Sequence, residues 1–292
     1  MLIWVTLLAG LLALMCGVWA NKMISKEWGL TWLVTLQQIT SGAIGAVLTA
    51  AFLTFLTRYL LRIETKIDEV TPMTARDGHD RIVRSMRESK SWRHDGQLGR
   101  WVRKSVISEF RSRSKEDGAK RTIAVVILDP DNASLLQEFV EYHAISRGLP
   151  STSGLARDLQ SEVLSTILWA GVAQQNYLAI NVEVWLRRNV CFVRTDIGDR
   201  IAFDTLPGPH TPVIAMNADE RDCDYYIAAD RKFEAAKSIS KKVDLGATVL
   251  SDPPDLQQAK EFFLANYIAC AADLALIEEA LARPGPNGDT KY

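Results

Sequence analysis

Charge is what this 292-residue chain withholds first. Residues 1–20 contain no Asp, Glu, Lys, Arg or His, and residues 28–57 contain none either, thirty in succession. A hydrocarbon core about 30 Å thick is crossed by roughly 20 apolar helical residues. Both runs are therefore long enough to span a bilayer, which argues against a simple cytosolic enzyme and against a fully exported one. Cysteine is scarce too. Cys16 lies in the first run, and Cys191, Cys223 and Cys270 stand 32 and 47 residues apart, with no C-x-x-C and no histidine at ligand spacing. That pattern suggests neither a disulfide framework nor a zinc site. No G-x-x-x-x-G-K-[ST] phosphate loop occurs, and no motif calls for a metal or cofactor.

The first run, MLIWVTLLAGLLALMCGVWA, has no Lys or Arg before it. A secretory signal needs a basic start, so the run reads as a retained transmembrane helix; cleavage after Ala20 is the rival reading. The second span fits residues 39–57, because Gln37 and Gln38 would sit too deep in one starting at Gly29. Trp4, Trp19, Trp28, Trp32 and Tyr59 suit the headgroup layers. The connection holds Lys22 and Lys26, whereas Arg58, Arg62, Lys66, Arg76, Arg81, Arg84 and Arg87 follow the second span. Positive flanks stay inside, so both termini are expected in the cytoplasm.

Small residues recur at helical spacing: Ala9, Ala13 and Gly17 on one face, Gly42, Ala46 and Ala50 on another. Close approach through small side chains is how spans associate in lipid. These faces serve packing within the hairpin or between hairpins, the latter giving a homo-oligomer in the bilayer. No ionisable group lies inside either span, which argues against a pump. The expected organisation is a hairpin over 1–61, a juxtamembrane helix and linker over 62–80 with Pro72 and Gly78 as breakers, an α/β domain over 81–283, and a disordered tail over 284–292.

Residues 73–121 hold 14 Lys and Arg against 7 Asp and Glu, whereas 122–292 hold 15 against 24. Attraction to anionic lipid accounts for such a basic stretch beside a membrane; a bound anion is the alternative. In SWRHDGQLGRWVRKSVISEF, Gly96 and Gly99 flank a turn before a helix whose first turns carry Arg100, Arg103 and Lys104. Cations there oppose the helix dipole, and a phosphate on the exposed N–H groups would relieve the conflict.

Residues 120–128, KRTIAVVIL, read as a strand buried on both faces. It ends in DPDN, where Asp131 or Asn132 caps a helix and Asp129 sits where open α/β sheets place ligands. A helix over about 155–177 follows, then strands at 180–187, 190–197, 200–206 and 211–217. Further helices are expected at about 223–242 and 255–283. Arg194 and Asp196 share one face of their strand, as a surface ion pair or a ligand contact.

WRHDGQLGRWVRK, VVILDPDN, FVRTDIGDRIAF and DYYIAADRKF together resemble bacterial proteins with a phospholipase D-like sensor or effector domain, over roughly 90–245. The resemblance implies that fold and a phosphate-bearing ligand. The H-x-K-x4-D signature of the active enzymes is missing: none of His79, His94, His143 and His210 is followed two residues later by Lys. A two-span hairpin joined to such a domain also resembles membrane effectors of bacterial antiphage systems. That implies an inner-membrane protein that answers a nucleotide second messenger or a neighbouring defence protein by breaching the bilayer. Two other readings stand beside this non-enzymatic one. One is a tethered hydrolase or nuclease using Asp129, Asp131, His94 or His143; the other is a membrane adaptor.

Overall fold

The computed structural model describes residue 54 and residues 70–147, 153–206, 211–218 and 224–286. Both expected spans, and with them Ala9, Ala13, Gly17, Gly42, Ala46 and Ala50, lie outside the described residues. Among the described residues, no helix is long and apolar enough to cross a membrane.

The domain is mixed α/β. Its strands are β1 (Val70–Met73), β2 (Ser91–Asp95), β3 (Arg121–Leu128), β4 (Ile180–Arg187), β5 (Arg194–Ile197), β6 (Ile201–Thr205), β7 (Val213–Asn217) and β8 (Lys241–Lys242). Its helices are α1 (Ala75–Glu88), α2 (Ile107–Asp117) with a π-helical entry at Val102–Val106, α3 (Ala133–Arg147), α4 (Ser153–Asn176), α5 (Asp224–Ser238), α6 (Leu256–Ala265) and α7 (Leu274–Ala282). The eight strands form one sheet in the order β1-β7-β6-β5-β2-β3-β4-β8. β2, β3 and β4 run parallel, and every other neighbouring pair is antiparallel.

The alternation of β3 explains the two layers. Ile123, Val125 and Ile127 enter the large core beneath the helices, while Val126 joins Trp185, Ile197, Ala202, Met216, Ala229, Phe233 and Ala236 under α5 on the opposite face. A strand apolar on both sides is what a parallel sheet covered on both faces requires. α4 is buried almost all round between the sheet and α7, with Val163, Leu164, Ile167 and Leu168 fully enclosed. Each such side chain contributes about 1.5–3 kcal/mol of apolar burial.

Several boundaries differ from the sequence reading. Residues 71–80 are not a linker: Val70–Met73 pair with β7, and Thr74 caps α1 by accepting from the Asp77 N–H. Gly78, read as a breaker, lets α1 lie directly on Val213, whose Cβ would stand 2.5 Å from any Cβ at position 78. Instead of one helix over 255–283, there are α6, a 3-10 turn at Ala269–Ala272 and α7. The Asn266 side chain donates to Phe262 O, Tyr267 adopts φ 54°, and Asp273 caps the next helix. α5 ends at Ser238, and Lys241–Lys242 become an edge strand beside β4. Gly285, assigned to a disordered tail, packs on Trp169.

Candidate functional site

The parallel strands β2, β3 and β4 all deliver polar residues to their carboxyl ends, where open α/β sheets bind ligands. His94 and Asp95 end β2, Asp129 follows β3, and Arg187 ends β4. Antiparallel β5 brings Asp196 beside His94.

On the main-core face, His94 Nδ1 lies 2.8 Å from Asp196 Oδ1. Asp196 Oδ2 accepts from Arg194 Nε at 2.6 Å, and the Trp92 indole N–H donates to Oδ1 at 3.3 Å. Asp196 is fully buried. Burial works to raise its pKa, but Arg194 and His94 outweigh this and hold it down to about 2. The expected Arg194–Asp196 pair therefore exists, with its acid as a core group shared by a histidine. The His94 ring packs against Gly96: a Cβ there would stand 2.5 Å from Nε2.

Gly99 takes φ +65°, and a Cβ on it would meet Thr166 Cγ2 at 2.6 Å. It thus permits a left-handed turn and close contact with α4, which the Thr166 hydroxyl reinforces by donating to Leu98 O at 2.8 Å. The helix after this turn does carry Arg100, Arg103 and Lys104, but their conflict with the dipole is answered from within the chain. Glu162 on α4 receives Arg103 at 2.7 Å, Arg100 at 2.9 Å and Arg283 at 2.9 Å. Burial pushes the Glu162 carboxyl up, yet the three guanidinium groups bring it below its ordinary value. Lys104 has no ion pair among the described residues. Asp129 closes the β3–α3 turn by accepting from the Asp131 N–H, and Asn132, not Asp131, caps α3 through the Leu135 N–H. Asp131 instead accepts from the N–H groups of Ala269 and Cys270.

On the α5 face sits a pair that the sequence did not single out. Arg187 Nη2 lies 2.8 Å from Asp95 Oδ1, with both residues almost wholly buried. The contact lacks hydrogen-bond alignment: both Asp95 oxygens, and Arg187 Nε and Nη1, have no hydrogen-bond partner. Burial raises the Asp95 pKa against the opposing pull of Arg187. The only sequence trace was a strand, INVEVWLR, whose apolar run ends in an arginine. Glu162 left none, because a single acid in an apolar helix gives no hint of three partners up to 121 residues distant. Among the described residues, no group of three or more His, Cys, Asp and Glu is placed to hold a metal ion.

No protein-family model matches the chain, and no curated protein matches it in sequence. Among solved structures it is similar to phosphatidylserine synthase from Haemophilus influenzae Rd KW20, at 10% identity and a TM-score of 0.40. The match covers 72% of this chain and 47% of that one, so the chain spans about half of that protein's length.

Proposed function

We propose that the chain is a membrane-anchored sensor and effector. Its α/β domain, read as phospholipase D-like from the sequence resemblance, binds a phosphate-bearing, nucleotide-like ligand. Its two N-terminal spans oligomerise to breach the bacterial inner membrane in antiphage defence. The observation that carries the ligand half is the gathering of His94, Asp95, Asp129 and Arg187 at one end of three parallel strands. The effector half is supported by the two uncharged runs of residues 1–20 and 28–57. Lys104, and Arg188 beside Arg187, have no ion pair among the described residues and are cations that a phosphate would meet without displacing an acid. The ligand must bind the resting and active arrangements with different affinity, since otherwise it shifts nothing. The test is membrane depolarisation after induction of the full chain in cells. Gly42→Leu and Ala46→Leu are expected to abolish it; toxicity without depolarisation, or depolarisation indifferent to both changes, sinks the reading.

A tethered hydrolase is the second reading, and the His94–Asp196 contact favours it. A histidine whose Nδ1 is held by a carboxylate has the tautomer and orientation that acid–base or nucleophilic work requires. Phosphodiester turnover by the purified full chain, lost in His94→Gln, is its expected signature; an inert chain removes it.

A further inference from the structure

The amino end of β2, opposite His94, opens into a cleft of about 990 Å³. One wall is α1; the other is the β5–β6 turn and the end of β7, with Lys90 beside them. The five residues of β2, about 16 Å of strand, separate Lys90 from the carboxyl end of the sheet. A glycine shapes the floor. A Cβ at Gly198 would stand 2.6 Å from Ser89 Oγ and 3.1 Å from Ser85 Oγ, so a side chain there would keep the turn from settling on the end of α1. Ser89 is spent in this contact, donating to Ser85 O at 2.8 Å and accepting from the Asp199 N–H at 3.2 Å. Ser85 lines the cleft and is only 8% exposed, yet its hydroxyl makes no hydrogen bond among the described residues.

The α1 wall is built of charges that do not meet. Asp80, Arg84 and Glu88 follow one another at four-residue spacing, where opposite charges pair readily. In α2 they do pair: Arg113 takes Glu109 at 3.2 Å and Glu116 at 3.5 Å. In α1 none of the three has an ion pair among the described residues, and all three line the cleft together with the unpaired ammonium group of Lys90. The remaining charges are engaged. Asp77 accepts from the Thr74 hydroxyl at 2.7 Å, and Asp199 accepts from the N–H groups of Lys90 and Ser91. Arg81 donates to Asn217 Oδ1 at 2.9 Å, and Arg200 has a partner of its own. Two cations, two acids and one hydroxyl are thus left open to the cleft.

We propose that this cleft binds a phosphate ester bearing a primary ammonium group, of which phosphoethanolamine is the simplest. Arg84, Lys90 and the Ser85 hydroxyl take the phosphate; Asp80 and Glu88, one turn to either side of Arg84, take the ammonium. Neighbours at that spacing stand about 5–6 Å apart, close to the reach from phosphorus to nitrogen across a two-carbon linker. The balance of open charges suits such a zwitterion and disfavours a polyanion. No aromatic residue lines the cleft, so nothing there stacks a nucleobase or cages a quaternary ammonium. A primary ammonium instead donates hydrogen bonds that carboxylates accept. The same chemistry occurs free and as a phospholipid headgroup. α1 is the first helix after the expected spans and begins 18 residues past residue 57. A headgroup source rests on the membrane-anchored reading; the cleft itself does not.

The experiment dialyses the full chain in detergent against phosphoethanolamine, phosphocholine, inorganic phosphate and ethanolamine in turn. Phosphoethanolamine is expected to bind at least tenfold more tightly than each of the others. Arg84→Gln with Glu88→Gln alters two exposed side chains that have no partner to lose, so this variant should melt as the parent does. It is expected to bind phosphoethanolamine at least tenfold more weakly. Arg76→Gln, on the same helix but outside the cleft, should bind as the parent does. Absence of phosphoethanolamine binding, equal binding of phosphocholine or phosphate, full binding by the double variant, or an equal loss in Arg76→Gln overturns the site. A short-chain phosphatidylethanolamine tells the two sources apart: tighter binding than phosphoethanolamine assigns the headgroup, and equal or weaker binding the free compound. These outcomes are separable from failure of the effector reading. A chain that depolarises membranes yet ignores phosphoethanolamine refutes only this site, and one that binds it without depolarising refutes only the effector.

Discussion

His94 Nδ1 and Asp196 Oδ1 lie 2.8 Å apart in the core, joining the end of β2 to the neighbouring antiparallel strand β5. The carboxylate is fully buried, and His94, Arg194 and Trp92 stabilise its charge. Removing one partner of a buried pair costs about 3–5 kcal/mol, because the other is left uncompensated. Asp196→Asn is expected to lower unfolding free energy in urea by about 3 kcal/mol, with an unchanged slope. A loss below about 0.5 kcal/mol would refute this account.

The same carboxyl makes stability depend on pH. Its folded pKa is lowered to about 2, below the unfolded value of about 3.9. The stabilisation is therefore complete above about pH 5 and is lost as pH falls through the folded value toward about pH 1, amounting to about 2.6 kcal/mol. Comparing parent and Asp196→Asn between pH 5 and pH 2 checks the sign: the gap between them should narrow as acid is added.

Glu162 should matter far more than the arginines at its rim. Arg103 is fully buried beside it, whereas the Arg100 side chain is about half exposed. Glu162→Gln is expected to cost about 3–5 kcal/mol by leaving Arg103 buried without a carboxylate. Arg100→Ala should cost at most about 1 kcal/mol. Chemical unfolding of the two variants side by side decides it.

Gly99 and Gly118 share a positive φ, at 65° and 67°, but differ in their surroundings. A Cβ at Gly99 meets Thr166 Cγ2, while one at Gly118 meets nothing within 4 Å. Gly118→Ala should cost about 1–2 kcal/mol from backbone strain alone, and Gly99→Ala should add about 1–3 kcal/mol of overpacking. Thr166→Ser removes the obstructing methyl, and in the Gly99→Ala background it should recover part of the loss.

Tyr267 occupies the left-handed position after α6, with its N–H bonded to Leu264 O and the Ile268 N–H bonded to Phe263 O. Glycine usually holds this place. The tyrosine is 85% exposed, so little packing is lost on its removal. Tyr267→Gly is expected to raise the melting temperature, by about 0.5–1 kcal/mol of relieved strain less the added unfolded-state entropy.

Most elements of the domain were legible as patterns. KRTIAVVIL announced a doubly buried strand, INVEVWLR matched β4 residue for residue, and DPDN announced the turn and cap before α3. Boundaries failed where a distant partner decided them. Pro72 and Gly78 read as breakers because nothing local reveals that β7 pairs with one and packs on the other. The last helix read as continuous because Tyr267 gives no local sign that it will turn left-handed. In the site, Arg194 and Asp196 were paired by alternation, and His94 stood among the candidate acid–base groups. That Arg100 and Arg103 would both be claimed by Glu162 could not be read, since the acid comes from another helix about 60 residues on.

The sequence by itself determined the local grammar: the two uncharged runs, the apolar strands, the caps and the charge imbalance between stretches. These follow from periodicity and side-chain chemistry within a few residues. Only the tertiary structure decided which charges are spent. Strand order brings Asp196 to His94 and Arg187 to Asp95, and helix packing brings Glu162 to three arginines. An ion pair depends on distance and burial, and those are set by residues far apart along the chain.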